Sequence, residues 1–441
     1  MQTNVNHPPA VSLNRRRFLQ GAAAFALAPV ILPASSWGAA GRPAPSNRIH
    51  CAVLGLGDRG SQHLSALLGL PEAQVLAVCD PYRQKAEQWQ KRVNDHYAQA
   101  AGAGAYQGCA AFQDFRDVLA RPDIDAVFIT APENWHVLLS LAAMRAGKDV
   151  YCEKALSLTV AEGRAACQGV RRYGRVFQIG TQQRSERGFR FACELARNGY
   201  LGSVHTVNVS VPGGRSLPLV QPAAPPPDFN YEVWLGPAPW TPYNDLKCTY
   251  NWYFIADYCA GWIQSWGVHH IDIALWGAPE LHTSTLDVEG TATFPTEGLA
   301  NTSISWQVNC TPPKGPRLVF TDDSRGEHGV RFIGDKGWVH VVRGGIRAEP
   351  ESLLGVKLKP SELHLPVSDH HLLNFFSAMR TRRDPIAPVE GGHAATTLTL
   401  IADIATRLQR KLTWNWSAEQ FVNDPAANAL LGRSMRSPWT L

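Results

Sequence analysis

No apolar run in this 441-residue sequence reaches the ~20 residues needed to cross a bilayer, so no stable membrane span is expected. No Cys-x-x-Cys occurs among its nine cysteines, and their odd number and irregular spacing fit neither a disulfide framework nor a zinc site. Cys51, Cys79 and Cys152 fall inside expected core strands, so the cysteines read as small buried apolar residues, with no disulfide and no metal. Charge is also sparse. Charged residues make up 18% of the chain, the formal net charge is +5, and part of that excess sits in Arg15 to Arg17. Without a basic stripe, no nucleic-acid partner is expected.

What is present begins with Asn14-Arg15-Arg16-Arg17-Phe18-Leu19-Gln20, which runs into the apolar stretch Gly21 to Leu32. This is the pattern of a twin-arginine export signal, a route that carries folded proteins, so the expected localisation is periplasmic with any cofactor already loaded. Small residues at Gly38, Ala39 and Ala40 place cleavage near Ala40. The roughly 400 residues that remain exceed what one hydrophobic core serves and suggest two domains. The divisions read from the chain are a signal peptide at 1–40, a nucleotide-binding domain at 41–180, a second domain at 181–416 and a C-terminal tail at 417–441.

Ile49 to Leu54 is a short β-rich run, followed at once by Gly55-Leu56-Gly57-Asp58-Arg59-Gly60 and a helical pattern over Ser61 to Leu68. Strand, glycine turn and helix in that order form a dinucleotide fingerprint. Gly55 permits the turn, Gly57 admits the pyrophosphate, Gly60 lets helix and strand pack, and the helix N-terminus supplies N–H groups. The second strand, Val75 to Cys79, ends at Asp80, where a carboxylate accepts the ribose hydroxyls of NAD or caps a helix ahead of Pro81. Asp80 favours NAD, while Arg83 keeps NADP open. Helices over Gln84–Tyr97, Phe115–Ala120, His136–Arg145 and Val160–Tyr173 alternate with strands at Ala126–Ile129, Asp149–Cys152 and Val176–Ile179. The alternation predicts a doubly wound parallel sheet, whose strand ends bring residues 130–136 and Glu153-Lys154 to one mouth.

From Val204 to Val211 the period becomes two, and β-rich segments recur at 287–294, 302–308, 317–320 and 338–341. Between Gly213 and Asp245 the chain is rich in Pro and Gly yet carries Phe229, Tyr231, Trp234, Trp240 and Tyr243, which reads as an ordered loop over the site or a subunit surface. Tyr250 to Phe254, Trp262 and Trp266 supply aromatic faces suited to a sugar ring or to core packing. His370-His371 and Glu390 to His393 open two further helices that pack toward the domain junction, and neither His group has ligands at metal spacing.

The glycine fingerprint, Asp80, Thr130-Ala131-Pro132 to His136, Glu153-Lys154 and Gly267-Val268-His269-His270-Ile271-Asp272 together resemble the glucose-fructose oxidoreductase, inositol dehydrogenase and rhizopine-catabolism (Gfo/Idh/MocA) family, from about Ile49 to Trp416. The resemblance implies an N-terminal Rossmann domain followed by an α+β domain with a large open-faced, mostly antiparallel sheet. It further implies Lys154 and His269 as catalytic groups and cofactor contacts from Gly55, Gly57, Gly60, Arg59, Asp80, Thr130, Pro132, Asn134, His136 and Glu153. Substrate contacts fall to Gln182, Arg184, Tyr253, Trp262, Ser265, His270 and Asp272. Two positions depart from the family pattern: Ala155 stands where Pro follows Glu-Lys, and Ser265 where an Asp precedes the His by four residues. The expected activity is oxidation of a secondary hydroxyl on a sugar or cyclitol by a tightly held, internally recycled NAD. The alternatives are an NAD-dependent glycosidase working by transient oxidation and elimination, and a non-catalytic carbohydrate-binding protein. A homodimer or tetramer formed through the open sheet face is expected.

Overall fold

The apolar strands of the first half are buried on both sides because helices cover both faces of their sheet. The computed structural model describes residues 47–101 and 107–441, so the residues read as an export signal lie outside the described residues. Strands β1 (Ile49–Leu54), β2 (Ala73–Cys79), β3 (Ala110–Phe112), β4 (Ala126–Ile129), β5 (Asp149–Cys152) and β6 (Phe177–Ile179) run parallel in the order β3-β2-β1-β4-β5-β6. This is the doubly wound Rossmann order, and its direction reverses between β1 and β4, where the carboxyl ends open a crevice. Helices α1 (Asp58–Leu68), α2 (Arg83–Ala101), α3 (Phe115–Leu119), α4 (Glu133–Arg145) and α5 (Val160–Tyr173) connect the strands. Thr159 starts α5 by accepting a hydrogen bond from Glu162 N at 3.3 Å, and Gly174, at φ +58°, ends it.

The second half forms a nine-stranded sheet in the order β13-β12-β11-β7-β10-β9-β8-β14-β15. Its strands are β7 (Val204–Val211), β8 (Thr285–Thr293), β9 (Ser305–Thr311), β10 (Arg317–Asp322), β11 (Gly329–Gly334), β12 (Gly337–Val342), β13 (Gly345–Glu349), β14 (Leu412–Asn415) and β15 (Gln420–Phe421). Only β7 and β10 pair in parallel. Alternation sends Val207, Val209, Val308, Phe320, Phe332 and Val339 to one buried face. That face packs on α6 (Arg187–Arg197), α9 (Gly267–Gly277) and α11 (Val389–Leu408), while Asn208, Glu289, Gln307 and Asn309 lie on the opposite, open face. Short helices α7 (Tyr231–Leu235), α8 (Trp262–Ser265) and α12 (Pro425–Asn428) and the longer α10 (His371–Thr381) are the other α-helices among the described residues.

Two divisions read from the sequence are redrawn by packing. Helix α10 lies far beyond residue 180, yet its Leu372, Phe375, Phe376 and Ala378 enter the core formed by Val53, Phe128 and Tyr151 of the first sheet. Phe375 meets Phe128 edge-on, 5.9 Å between ring centroids. Residues 417–441, read as a tail, supply β15 to the second sheet and a buried ion pair between Arg433 Nε and Glu162 Oε1 at 2.6 Å. Trp439 also stands edge-on to Trp135, at 4.7 Å. Ile49–Leu441 forms one compact unit.

Candidate active site

The turn after β1 is built for close approach. Gly55 has φ +95°, and a Cβ at Gly60 would lie 2.0 Å from the Gly55 carbonyl oxygen, so neither position accommodates a side chain. A Cβ at Gly57 would meet nothing within 4 Å, because this glycine faces open space. Thr130 Oγ1 donates to Gly55 O at 2.6 Å and ties the turn to the end of β4. Asp80, at the end of β2, accepts from Leu56 N at 2.7 Å on one oxygen and from Tyr82 N at 2.9 Å on the other. Its carboxylate therefore braces the glycine turn and the start of the following segment together. Burial pushes Asp80 up from its ordinary pKa, against the Lys85 charge and these two N–H groups. Each oxygen keeps acceptor capacity for a ribose hydroxyl.

Asp80→Ala is expected to weaken NAD binding about 10- to 100-fold, the equivalent of about 1.5–3 kcal/mol for a hydrogen-bonded charge, and to relax rejection of NADP. Fluorescence titration of both dinucleotides checks this, and a parent protein that already prefers NADP contradicts it. Lys85, which Tyr82 neighbours at 5.6 Å, lines the cavity beside Asp80 where the sequence had pointed to Arg83, which is exposed.

At the end of β5, Glu153 is buried and accepts from Arg59 Nε at 2.7 Å, with His63 Nε2 also 2.7 Å away. Burial alone would raise its carboxyl, but Arg59 and His63 outweigh it and hold the group well below the usual carboxylate range. Arg59 thus links the fingerprint helix to the neighbour of Lys154. The Lys154–Ala155 peptide bond is cis despite the absence of Pro. His136 clamps the following backbone, its Nδ1 2.6 Å from Ala155 O and its Nε2 2.9 Å from Ala131 O.

Lys154 Nζ donates to Ser265 Oγ at 2.7 Å and Ser265 O at 3.0 Å, so the hydroxyl that replaces the family carboxylate meets the lysine directly. Burial lowers the Lys154 pKa from its usual value, against the raising effects of Glu133 and Glu153. Tyr253 presents its ring 5.4 Å from Nζ and stacks on Trp252 at 3.7 Å. His269, 5% exposed, lies on α9 with Nδ1 buried and unpartnered. Burial first, then Lys154 and Arg343, hold His269 well below 6.5, so it is a neutral imidazole rather than a group titrating near neutrality.

Other residues expected against substrate are engaged elsewhere. Arg184 and Asp272 form a buried two-pronged ion pair, 2.7 Å at each contact. His270 Nε2 faces His328 Nε2 at 3.4 Å. Trp262 packs on Phe254 at 5.3 Å, and Gln182 leaves a buried Oε1 without a partner. Asn134, expected at the cofactor, instead turns away to donate to Leu235 O at 3.2 Å. Among the described residues no group of three His, Cys, Asp or Glu is placed to hold a metal ion.

The segment rich in Pro and aromatics is a strap across the Rossmann crevice. Phe229 stacks on Tyr82 at 4.0 Å, Asn230 N donates to Pro81 O at 2.9 Å, and Arg83 N donates to Asp228 O at 3.0 Å. Gln113 Nε2 donates to both Pro81 O (2.9 Å) and Asp228 O (3.0 Å), and Trp135 Nε1 to Trp234 O (3.2 Å). Beneath the strap runs a cavity of about 760 Å³ that reaches from Asp80 and Lys85 past Gly57, Thr130 and Pro132 to Glu153, Lys154 and Tyr253. Tyr82, Lys85 and Gln113 were not singled out in the sequence because only tertiary packing brings them to this wall.

The open space at Gly57, the acceptor at Asp80 and a cavity of this size fit a dinucleotide, which Gly57 and Asp80 would hold in a cavity that Lys154 also lines. Fold and crevice together define a Rossmann-type dinucleotide-binding protein with a second, sheet-based domain. Residues 49–181 match the Gfo/Idh/MocA oxidoreductase family's NAD-binding Rossmann fold, and residues 213–441 match its C-terminal alpha/beta domain, so the chain belongs to this family. It is 31% identical over 157 residues to the scyllo-inositol 2-dehydrogenase (NAD(+)) of Bacillus subtilis, covering 35% of this chain and 42% of that enzyme. A glycosyl hydrolase family 109 protein of Shewanella baltica is 26% identical over 34% of this chain and 35% of that protein. In both cases the match spans less than half of the relative. The aldose-aldose oxidoreductase of Caulobacter crescentus shares the fold, with a TM-score of 0.59 at 19% identity over 82% of this chain and 99% of that one.

Proposed function

We propose that this protein oxidises a secondary hydroxyl of a sugar or cyclitol with NAD that stays bound and is recycled by a second substrate. The observation that carries the reading is Lys154 at the inner end of the dinucleotide cavity, with two of its hydrogens committed to Ser265 O and Oγ. NAD, when bound, accepts and returns the carbinol hydride. Once deprotonated, Lys154 Nζ keeps both Ser265 contacts and turns its lone pair outward, where it takes the carbinol proton. Lys154 is the better proton acceptor of the two expected groups, because its depressed pKa brings it toward neutrality while His269 is too weak a base. His269 acts as a neutral hydrogen-bonding group beside the reacting carbon, and Arg59 with Glu153 fixes the backbone from which Lys154 projects.

The strap favours retention of the cofactor, since the cavity is roofed by contacts on both sides of the adenosine end. The same closure, with the likeness to a family 109 glycosyl hydrolase, supports a second reading in which bound NAD oxidises a ring carbon transiently and the aglycone is eliminated with no net redox change. Adding candidate sugars and aryl glycosides to the purified protein, with absorbance at 340 nm and aglycone release followed together, separates the two. Reduction of bound NAD that a second sugar reverses supports the oxidoreductase. Aglycone release without lasting reduction supports the glycosidase, and neither response refutes both.

We further propose that the protein is exported folded to the periplasm with NAD aboard. Replacing Arg15 and Arg16 with Lys is expected to hold it in the cytoplasm, as fractionation with cofactor assay would record. Unchanged delivery of that variant contradicts the proposal.

A further inference from the structure

Two cations, Lys154 and Arg343, act on His269, and neither is held in an ion pair among the described residues. Lys154 is hydrogen-bonded only to the uncharged oxygens of Ser265. At the turn between β12 and β13, the exposed Arg343 lays its guanidinium over the Trp266 ring, 4.7 Å from its centroid. The same indole stands edge-on to His269 at 5.6 Å and to His328 at 5.5 Å. Gln183, with its amide oriented to satisfy both ends, donates to His269 O at 2.6 Å and accepts from Arg343 Nε at 3.3 Å. That bridge fixes Arg343 beside the α9 segment that carries His269, and leaves its two Nη groups without a hydrogen-bond partner among the described residues. Glu186 feels the Arg343 charge without forming an ion pair with it.

We propose that Arg343 is a subsite for an anionic substituent, so that the substrate is a sugar or cyclitol bearing a ring carboxylate rather than a neutral one. The inference rests on the reading of Lys154 as the group that addresses the carbinol, and narrows it to a chemical class. A guanidinium set over an indole and held at Nε by Gln183 keeps both Nη groups available, and a guanidinium takes a carboxylate with two parallel hydrogen bonds. A carboxylate there also gives Arg343 the hydrogen-bonded anionic partner that Glu186 does not supply, and so favours acidic over neutral sugars by electrostatic complementarity. A solvated Arg packed on Trp for its own sake would confer no such preference.

The test uses the full, NAD-loaded chain with D-glucuronate and D-galacturonate against D-glucose, D-galactose and D-glucose 6-phosphate. Binding is followed by tryptophan fluorescence and hydride transfer by absorbance of the bound cofactor, with NAD content measured on every variant as a check of folding. The parent is expected to bind the uronates at least tenfold more tightly than the matching hexoses. Arg343→Ala and Arg343→Gln are each expected to shrink that ratio about tenfold or more, with Arg343→Lys falling between them. Equal affinity for acidic and neutral sugars, or a ratio that Arg343→Ala leaves intact, overturns the inference while reduction of bound NAD by neutral sugars upholds the oxidoreductase reading. A preference for glucose 6-phosphate over glucuronate overturns the carboxylate assignment. If uronates bind through Arg343 but no sugar reduces the cofactor, the subsite stands and the oxidoreductase reading falls.

Discussion

Lys154→Ala is expected to lower kcat by roughly 10²-fold or more while the protein keeps its NAD, because a positioned proton acceptor is lost and the cofactor cradle is not. The cradle is Gly55 to Gly60 with Asp80 and the strap. Lys154 meets it only at its inner end, through Ser265 and the Tyr253 ring. The pH profile supplies a second, signed readout. The reacting form is the neutral amine, so kcat/KM rises with pH and levels off at a pKa below that of an ordinary lysine, in the direction burial drives it. Ser265→Asp puts a carboxylate beside Nζ, favours the ammonium form and moves that rise to higher pH. Stopped-flow reduction of bound NAD across pH tests both variants. Full turnover by Lys154→Ala at full NAD occupancy would place the base elsewhere.

Arg184→Ala is expected to cost about 3–5 kcal/mol of stability, because it strands the Asp272 carboxylate, whose side chain is 1% exposed, without its guanidinium. The two residues sit on separate elements, Arg184 just beyond β6 and Asp272 on α9, so the pair fastens the second domain's central helix to the end of the first sheet. Denaturant unfolding measures the loss, and the double variant Arg184→Met with Asp272→Leu is expected to recover much of it, since removing both charges leaves nothing buried and unpaired. If Arg184→Ala unfolds at the parent midpoint but raises KM, the pair serves substrate rather than structure.

How much of this was legible in the sequence follows the range of the interactions. Strands β4 and β5 and helix α5 fall at the residues expected, because an apolar run bounded by breakers, and Thr159 ahead of an amphipathic stretch closed by Gly174, are local signals. Strands β3, β11, β13, β14 and β15 were not anticipated. Ala110–Phe112 is three residues long, Gly329–Gly334 is bounded by Gly at both ends, and Gly345–Glu349 begins with Gly and has few apolar residues, so their neighbours in the sheet make them strands. At the site, the glycine turn, Asp80 and Lys154 carry motifs. Lys85, Gln113 and Arg343 carry none: Gln113 gains its place from Asp228 and Arg343 from Gln183, each more than a hundred residues away, and Lys85 from the closure of the crevice itself. Arg184, Asp272 and Asn134 show the converse, since motif position gave them a role that their nearest partners now occupy.

Helix α10 has a consequence for how the chain is made. Its Leu372, Phe375 and Phe376 seal the core of a sheet whose last strand ended at Ile179, nearly two hundred residues earlier in synthesis. A nascent chain that has emerged only through β6 lacks the Phe375 and Phe376 rings that pack on Phe128 and Tyr151, so the core of the nucleotide-binding half is incomplete ahead of the rest. The strap is made before α10, whereas Arg433, which pairs with Glu162, is made after it. Completion of the nucleotide-binding core therefore waits on a helix made far downstream of its own strands.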